Sequence, residues 1–265
     1  MKRYFILYVL MLQVGLCGCA QRPHRTDVVY QVSTIGALAQ GVYGGEITCG
    51  ELREHGDFGI GTFDRLDGEM ILADGTIYQA RADGSVRTPD DLVRVPFAAV
   101  TFFTPDRTSI LGRSFDLEGL ERALDGLLPT ENIFYAVKVE GSFQYVKTRS
   151  VPAQDRPYRP LAEAVKEQRT CEFNDTEGVL VGLRCPAYMK EINVPAYHFH
   201  FITRDRRAGG HVLECRVEGA RVAIDEASEF HMVLPRGNEF YRAQLGEDAQ
   251  SAMERIEKAG DKKAR

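Results

Sequence analysis

The sequence predicts a mixed α/β protein of the α+β kind, richer in strands than in helices and containing mixed β-sheets. Three observations support this prediction. The chain has 265 residues, of which 44% are hydrophobic and 27% are charged, so it can bury a substantial core. Segments with alternating or continuous apolar residues outnumber those with helical spacing. Strands do not alternate regularly with helices, which argues against a doubly wound parallel sheet.

The charge balance limits the classes of partner. The formal net charge is −5 and the isoelectric point is near 5.8. Because a nucleic-acid-binding protein normally presents a basic surface, we expect no nucleic-acid partner.

Residues 1–19 have the pattern of a signal peptide that ends in a lipobox. Lys2 and Arg3 form a positively charged start, and an apolar run from Tyr4 to Leu16 follows. This run is shorter than the roughly 20 residues of a membrane-spanning helix and has the length of a signal peptide. The sequence Leu16-Cys17-Gly18-Cys19 resembles the bacterial lipobox, in which the cysteine after a small residue receives the lipid.

The signal peptide and the lipobox together predict an exported, membrane-anchored lipoprotein. We expect the lipid on Cys19 to be its only contact with the membrane. One alternative is an ordinary signal peptide cut near Ala20, which would give a secreted or periplasmic protein. The others are an uncleaved N-terminal anchor and a misassigned start, which would leave the protein in the cytoplasm. Residues 20–29 are then a short polar linker.

The mature chain is expected to divide into two domains and a tail. Residues 30–155 read as an N-terminal mixed-sheet domain, and residues 156–246 as a strand-rich C-terminal domain. Residues 247–265 have helical propensity and mixed charge.

The elements of the N-terminal domain follow from apolar spacing and turn residues. A leucine stripe from Leu117 to Leu127 predicts a helix, capped by Ser114 or Asp116 and stopped by Pro129. The other predicted elements are a helix over 34–43, short strands and turns over 56–80, a buried strand over 97–103, and a hairpin whose strands 133–139 and 143–148 turn at Glu140-Gly141.

The C-terminal domain is predicted to begin with a helix and to continue as strands. Pro160 stands at the favourable first turn of that helix, which runs from Leu161 to about Gln168. The predicted strands are 178–183, 196–203, 211–217, 220–225 and 229–234.

The cysteines after residue 19 lack the C-x-x-C spacing of a zinc knuckle. They are Cys49, Cys171, Cys185 and Cys215. Export permits disulfides, and Cys171 and Cys185 flank a predicted strand pair and could form a bridge. Four free or buried thiols are the favoured alternative.

Three of the six histidines predict a metal centre. His198 and His200 lie two residues apart in a predicted strand, so they share a face, while the aromatic residues between and beside them share the other. The sequence from Asp205 to Gly210 predicts a turn that returns His211 beside them. Three imidazoles leave an open position for water or substrate, as in catalytic zinc sites. From spacing alone zinc is favoured, and manganese, iron, nickel and copper remain alternatives.

The competing interpretation is that the histidines are ordinary polar residues. Two histidines on one strand face can form a solvated edge, but convergence of three through a glycine turn favours a metal site. His24, His55 and His231 are too dispersed to join the cluster, so we expect no metal role for them.

Seven short motifs follow one another along the chain. They are Gly56-Asp-Phe-Gly-Ile-Gly-Thr-Phe63, Leu66-Asp-Gly-Glu-Met70, Phe102-Phe-Thr-Pro105, Asn132-Ile-Phe-Tyr-Ala136, Thr148-Arg-Ser150, Tyr197-His-Phe-His-Phe-Ile202 and Gly209-Gly-His-Val212. In this order they resemble the motifs of the α-acetolactate decarboxylase family, and they are specific only in combination. The resemblance extends from about residue 30 to 257.

The resemblance implies a two-domain α/β fold, commonly a homodimer, with a metal ion that is usually zinc. It implies conversion of 2-acetolactate to acetoin and carbon dioxide, in which the metal is the electron sink for an enediolate intermediate. The ligands implied are His198, His200 and His211. Many members lack a lipobox, so the N-terminus is the main departure from the family.

The resemblance also implies roles for residues outside the triad. Arg149 would bind the substrate carboxylate through its bidentate fork, and Thr62 would donate a hydrogen bond to it. Glu69 or Glu257 would deliver the proton, Glu257 being the tail residue that best matches a family glutamate and Glu254 the alternative.

Two other functions would also use the predicted histidine cluster. A cupin-like enzyme would usually carry a glutamate shortly after its His-x-His pair, whereas this chain continues as Thr203-Arg-Asp-Arg-Arg207. A non-enzymatic lipoprotein that binds a metal or ligand would keep the histidines but would not require Glu69 and Arg149.

Overall fold

The computed structural model describes residues 27–245. They form fifteen strands and five α-helices, and most of the strands belong to two main sheets. The predicted signal peptide, Cys19 and the tail glutamates Glu254 and Glu257 lie outside the described residues. Within the described part, no helix combines the length and hydrophobicity that a membrane crossing requires.

The strands and helices are short apart from three long strands of the second sheet, which have 17, 17 and 19 residues. The helices are α1 (Ile35–Ala39), α2 (Cys49–Arg53), α3 (Leu117–Asp125), α4 (Leu161–Ala164) and α5 (Asn238–Arg242). The strands are β1 (Val28–Val32), β2 (Ile47–Thr48), β3 (Phe58–Thr62), β4 (Glu69–Ala73), β5 (Thr76–Ala80), β6 (Val86–Arg87), β7 (Arg94–Val95), β8 (Phe97–Thr101), β9 (Arg107–Leu111), β10 (Phe115–Asp116), β11 (Phe134–Ser150), β12 (Arg169–Cys185), β13 (Ala196–Thr203), β14 (Gly209–Ala227) and β15 (Glu229–Val233).

The first sheet has seven strands in the order β15-β1-β8-β3-β4-β5-β6. Its pairings are antiparallel apart from β1 with β15, so it is a mixed sheet, as predicted. A small separate ladder joins β2 to β7.

The second sheet curls until four of its strands close into a ring. β11 pairs with β12 and with β14, β12 pairs with β13, and β13 pairs back to β14. β9 and β10 extend the sheet from β14. Closure brings β11, β13 and β14 together at one place, and the candidate site is built there.

The two sheets pack face to face through apolar side chains. Ile60 and Ile71 of the first sheet meet Val179, Val181 and Ile202 of the second in one buried cluster. The other face of the second sheet forms its own core with α3.

Helix α3 begins and packs as the leucine stripe predicts. The side chain of Asp116 caps it by accepting a hydrogen bond from the Gly119 backbone N–H at 2.8 Å. Leu120 and Leu124 are fully buried against the second sheet, and each contributes roughly 1.5–3 kcal/mol relative to exposure. The helices predicted over 34–43 and 161–168 are shorter than expected, at α1 and α4.

The predicted hairpin turn at Glu140-Gly141 is wrong, because β11 runs unbroken through it. Its neighbours β12 and β14 also continue past this point. Gly141 pairs with Gly178 of β12, and the register shift between Glu140 and Ser142 arises because β14 carries one extra residue there. The predicted strands 211–217 and 220–225 are likewise one strand, β14, with Gly219 at φ +61° marking the irregularity.

The possible bridge between Cys171 and Cys185 is also wrong. The two residues lie at opposite ends of the same strand, β12, roughly 46 Å apart at about 3.3 Å per residue. A disulfide requires Cα atoms within about 7 Å. The four cysteines of the described part are free thiols, and burial raises the pKa of the Cys185 and Cys215 thiols to about 12.

Sheet membership crosses the predicted domain boundary in both directions. The strands β9, β10 and β11, which precede residue 156, belong to the second sheet, whereas β15 returns to the first. The division at residue 155 stays a prediction.

Candidate metal centre

The three histidines converge where β13 and β14 pair. His198 and His200 share one face of β13, and Phe199 and Phe201 enter the core on the other, as predicted. The turn after Thr203 returns the chain so that His211 stands directly opposite His200 in the ladder. The ring nitrogens that could bind a metal all lie within 4.8 Å of one another.

The donor set fits a divalent transition metal. Nε2 of His198 lies 3.0 Å from Nδ1 of His211. Two nitrogens that each stand 2.0–2.1 Å from one tetrahedral zinc ion are about 3.3 Å apart. The observed separation is therefore close to that of two ligands, and no large movement of these rings is needed.

A backbone carbonyl orients the most buried histidine. Nδ1 of His200 lies 2.7 Å from the Met70 carbonyl oxygen, and the side chain is 1% exposed. An Nδ1–H donated to this oxygen leaves the Nε2 lone pair for a metal, which is the usual arrangement of metal-binding histidines. Because Met70 belongs to β4, the first sheet orients the imidazole of His200, which belongs to the second sheet.

Glu69 and Thr62 enter the site from the first sheet. They are opposed residues of β4 and β3. Glu69 Oε2 lies 3.6 Å from His200 Nε2, so its carboxylate faces the triad. The Thr62 hydroxyl lies in the cleft wall and donates to the Gly68 carbonyl at 2.7 Å, which ties β3 to the turn before Glu69.

Arg149 completes a row across the second sheet. His211 of β14 has Arg149 opposite it in β11 and His200 opposite it in β13, so the three residues lie side by side across the sheet. The Arg149 side chain is buried, and its Nη1 donates to Gln168 Oε1 at 3.4 Å. A Cβ at Gly210 would lie 2.6 Å from the Arg149 carbonyl oxygen, so glycine there permits the close approach of β11 to β14.

The remaining walls of the cleft are apolar. The cavity between them is small, with a volume of about 40 Å³. The apolar wall residues are Ile35, Leu38, Leu66, Phe97, Val151, Leu161 and Val165.

Two contributions escaped the sequence analysis. The apolar wall comes from five separate segments, each of which reads as ordinary core in the sequence. The Met70 carbonyl is a backbone group, so residue type gives no signal for it. Helical spacing around Ile35 and Leu38 predicts burial but does not indicate a cleft.

His55 and His231, which the sequence predicts to lie outside the histidine triad, contact Tyr30 instead. His55 stacks on Tyr30 at 3.7 Å between ring centroids, and His231 meets the same ring edge-on at 5.2 Å. Burial lowers the pKa of His55, which favours the neutral ring. His24 lies outside the described residues.

Comparisons with known proteins agree with this geometry. Residues 29–247 match the family model for alpha-acetolactate decarboxylase. An alpha-acetolactate decarboxylase from Methanosarcina mazei is 52% identical over 235 residues, which cover 89% of this chain and 82% of the relative. The Bacillus subtilis strain 168 enzyme is 40% identical over 225 residues, covering 85% of this chain and 88% of the relative.

Solved structures share the fold over nearly their whole length. The crystal structure of alpha-acetolactate decarboxylase from Bacillus subtilis strain 168 superposes with a TM-score of 0.85 at 40% identity, covering 87% of this chain and 99% of that one. A Staphylococcus aureus protein described as similar to alpha-acetolactate decarboxylase gives a TM-score of 0.82 at 31% identity, covering 86% of this chain and 98% of that one. These matches confirm the predicted strand-rich α+β class. The chain belongs to the alpha-acetolactate decarboxylase family.

Proposed function

We propose that this protein converts 2-acetolactate to acetoin and carbon dioxide at the cleft between the two sheets. The observation that carries the proposal is the convergence of three imidazoles, one carboxylate and one guanidinium on the same cleft in a member of this family.

We further propose that His198, His200 and His211 hold a divalent transition metal, zinc being the first choice for three neutral imidazoles. A bound ion would supply Lewis acidity toward the oxygens of a keto acid.

Arg149 is proposed to bind the substrate carboxylate. A guanidinium can grip a carboxylate with two parallel hydrogen bonds, and burial beside the triad strengthens that contact. This grip would orient the bond between the carboxylate carbon and its neighbour, which breaks as carbon dioxide leaves. The electron pair of that bond passes into the adjacent ketone.

Glu69 is proposed to deliver the proton that replaces the carboxylate. The carbon that loses carbon dioxide must gain one proton, and Glu69 is the carboxyl group that faces the triad in the described part of the chain. Apolar walls restrict water at this position, so a fixed donor controls where the proton goes. Glu257 of the tail, or Glu254 in its place, stays the second proposed donor.

Three further properties are proposed from the sequence. They are a lipid anchor on Cys19, an exported location, and a homodimeric assembly. An exported enzyme would remove acetolactate after it leaves the cell.

Glu69→Gln tests the proposal, because it keeps the size of the side chain and removes the proton donor. We expect acetoin formation to fall at least roughly 100-fold, while bound metal stays near one ion per triad. Acetoin is measured colorimetrically and metal by elemental analysis. Glu54→Gln, at an exposed position, is the matched control and should behave as the parent. Full activity in Glu69→Gln would remove Glu69 from the mechanism.

A further inference from the structure

His198 has less backbone support than the other two histidines. In the described ladders, β13 pairs with β14 only at His200, Phe201 and Ile202. The stretch from Ala196 to Phe199 pairs with β12 alone. His198 is also the least buried of the three histidines. Its position therefore depends on the β12 ladder and on whatever holds the first residues of β13.

A hydrogen-bonded network holds those residues on the face opposite the histidines. The Tyr197 hydroxyl donates to Asp125 Oδ1 at 2.9 Å, and Arg184 Nε donates to the same oxygen at 3.3 Å. Arg184 Nη1 also donates to the Glu131 carbonyl oxygen at 3.1 Å. Two side chains from neighbouring strands thus share one carboxylate of α3.

Packing reinforces the network. Arg184 stands directly opposite Tyr197 in the β12–β13 ladder, and its guanidinium lies 5.8 Å from the centre of the Tyr197 ring. The Tyr197 ring stacks on Phe199 at 5.5 Å. Arg184 is 6% exposed, so it has few alternative partners. Tyr197 is fixed at both its ring and its hydroxyl, and it is the residue next to His198.

The position of Asp125 favours these contacts. Asp125 is the last residue of α3, where the helix dipole disfavours a carboxylate, and the Arg184 cation and the Tyr197 hydroxyl offset that unfavourable placement.

We propose that Tyr197 is a positioning residue for His198: its hydrogen bond to Asp125 fixes the start of β13 and thereby the direction of the His198 ring toward the metal. This inference rests on the proposed metal centre. It assigns no contact between Tyr197 and the substrate.

The test compares Tyr197→Phe with Tyr135→Phe in protein loaded with Co²⁺. Tyr135 is a matched control, because it stands opposite Arg184 on the other side, in β11, and its hydroxyl donates to the Thr130 carbonyl at 2.6 Å. Each variant loses one tyrosine hydrogen bond and keeps the ring. The readouts are the visible absorption of bound Co²⁺ and its affinity in competition with a chelator.

We expect Tyr197→Phe to change the Co²⁺ spectrum and to weaken Co²⁺ binding about tenfold, as changes behind metal ligands usually do. Tyr135→Phe should lower thermal stability without moving either readout. Asp125→Ala should reproduce the Tyr197→Phe result, and Asp125→Asn should restore the parent spectrum, since its amide oxygen still accepts from Tyr197.

The outcomes separate this inference from the proposed function. If the parent binds Co²⁺ and Tyr197→Phe keeps the parent spectrum and affinity, the positioning role of Tyr197 is wrong while the metal centre stands. Equal changes in Tyr197→Phe and Tyr135→Phe would also overturn it, because they would reflect general loosening. A parent that binds no Co²⁺ would overturn the metal centre and this inference with it.

Discussion

At the scale of single residues, the site combines groups that neither sheet holds alone. The first sheet supplies Glu69 and the carbonyl of Met70, and the second supplies the imidazoles and Arg149. The buried contact of His200 with Met70 selects one tautomer, so the ring is oriented before any metal or substrate arrives. Arg149 adds a fixed cation for an anionic substrate.

Substitution of Arg149 distinguishes an enzyme from a metal-binding lipoprotein. For Arg149→Ala we expect kcat/KM for acetolactate to fall roughly 100-fold with metal content unchanged, because the carboxylate loses its bidentate partner. Arg149→Lys should recover only part of the loss, since an ammonium lacks the planar fork. Arg207→Ala, at an exposed position, is the control. Parent-like kinetics in Arg149→Ala would show that the substrate carboxylate binds elsewhere.

At the scale of elements, the seam between β12 and β13 holds two of the histidines in place. Gly182 stands opposite Phe199 in this ladder. A Cβ at Gly182 would lie 2.3 Å from Phe199 Cδ1 and 2.5 Å from the His198 carbonyl oxygen. The missing side chain therefore lets β13 pack tightly enough to aim His198 and His200 together.

Gly182→Ala should push β13 away from β12. We expect about 1–3 kcal/mol of lost unfolding free energy, measured by denaturant titration, and weaker metal retention. Gly112→Ala is a suitable control, since a Cβ there meets nothing within 4 Å. A stable Gly182→Ala variant with parent metal affinity would show that the seam tolerates expansion without moving the ligands.

At the scale of the whole molecule, one buried carboxyl group makes stability depend on pH. Asp225 of β14 is 2% exposed, and burial raises its pKa to about 7, against a smaller lowering by the Thr104 backbone N–H and further raising by Asp106, Asp27 and Asp57. The folded protein holds this proton at pH values where the unfolded chain, with a pKa near 3.8, has released it. Folding stability therefore falls as pH rises from about 4 to about 7.

Asp225→Asn should remove the contribution of Asp225 to this pH dependence. Glu121, whose pKa burial also raises to about 7, contributes equally to the parent and the variant. We expect the variant to gain unfolding free energy over the parent as pH rises from 4 to 8, on the order of 4 kcal/mol at the upper end. Urea unfolding at several pH values measures the difference. Asp175→Asn, an exposed carboxylate, should show no such trend. A constant difference between Asp225→Asn and the parent across this range would contradict the shifted pKa.

Local pattern predicted much of the fold, and the parts that it missed depend on long-range pairing. The face shared by His198 and His200, the turn that returns His211, and the Asp116 cap all follow from spacing within one or two elements. The ring closure that sets Arg149 beside His211 joins strands about sixty residues apart, and family resemblance rather than periodicity brought Glu69 and Arg149 into the prediction.

Glu140-Gly141 illustrates why the remainder could not be predicted. A glycine between two alternating apolar runs predicts a turn when only its own segment is considered. Here strands on both sides continue past it, and their hydrogen bonds favour one long strand, with the extra residue of the irregularity on β14. The apolar cleft wall also could not be predicted from local pattern, because its residues meet only after both sheets have packed.

The proposed activity is tested by measuring acetoin formation from racemic acetolactate by the purified protein, before chelation, after chelation, and after zinc is returned. We expect acetoin well above spontaneous decay, its loss when the metal is removed from the three histidines, and its recovery with zinc. Folded, metal-loaded protein that forms no acetoin above spontaneous decay, or activity that survives complete chelation, would contradict the proposal.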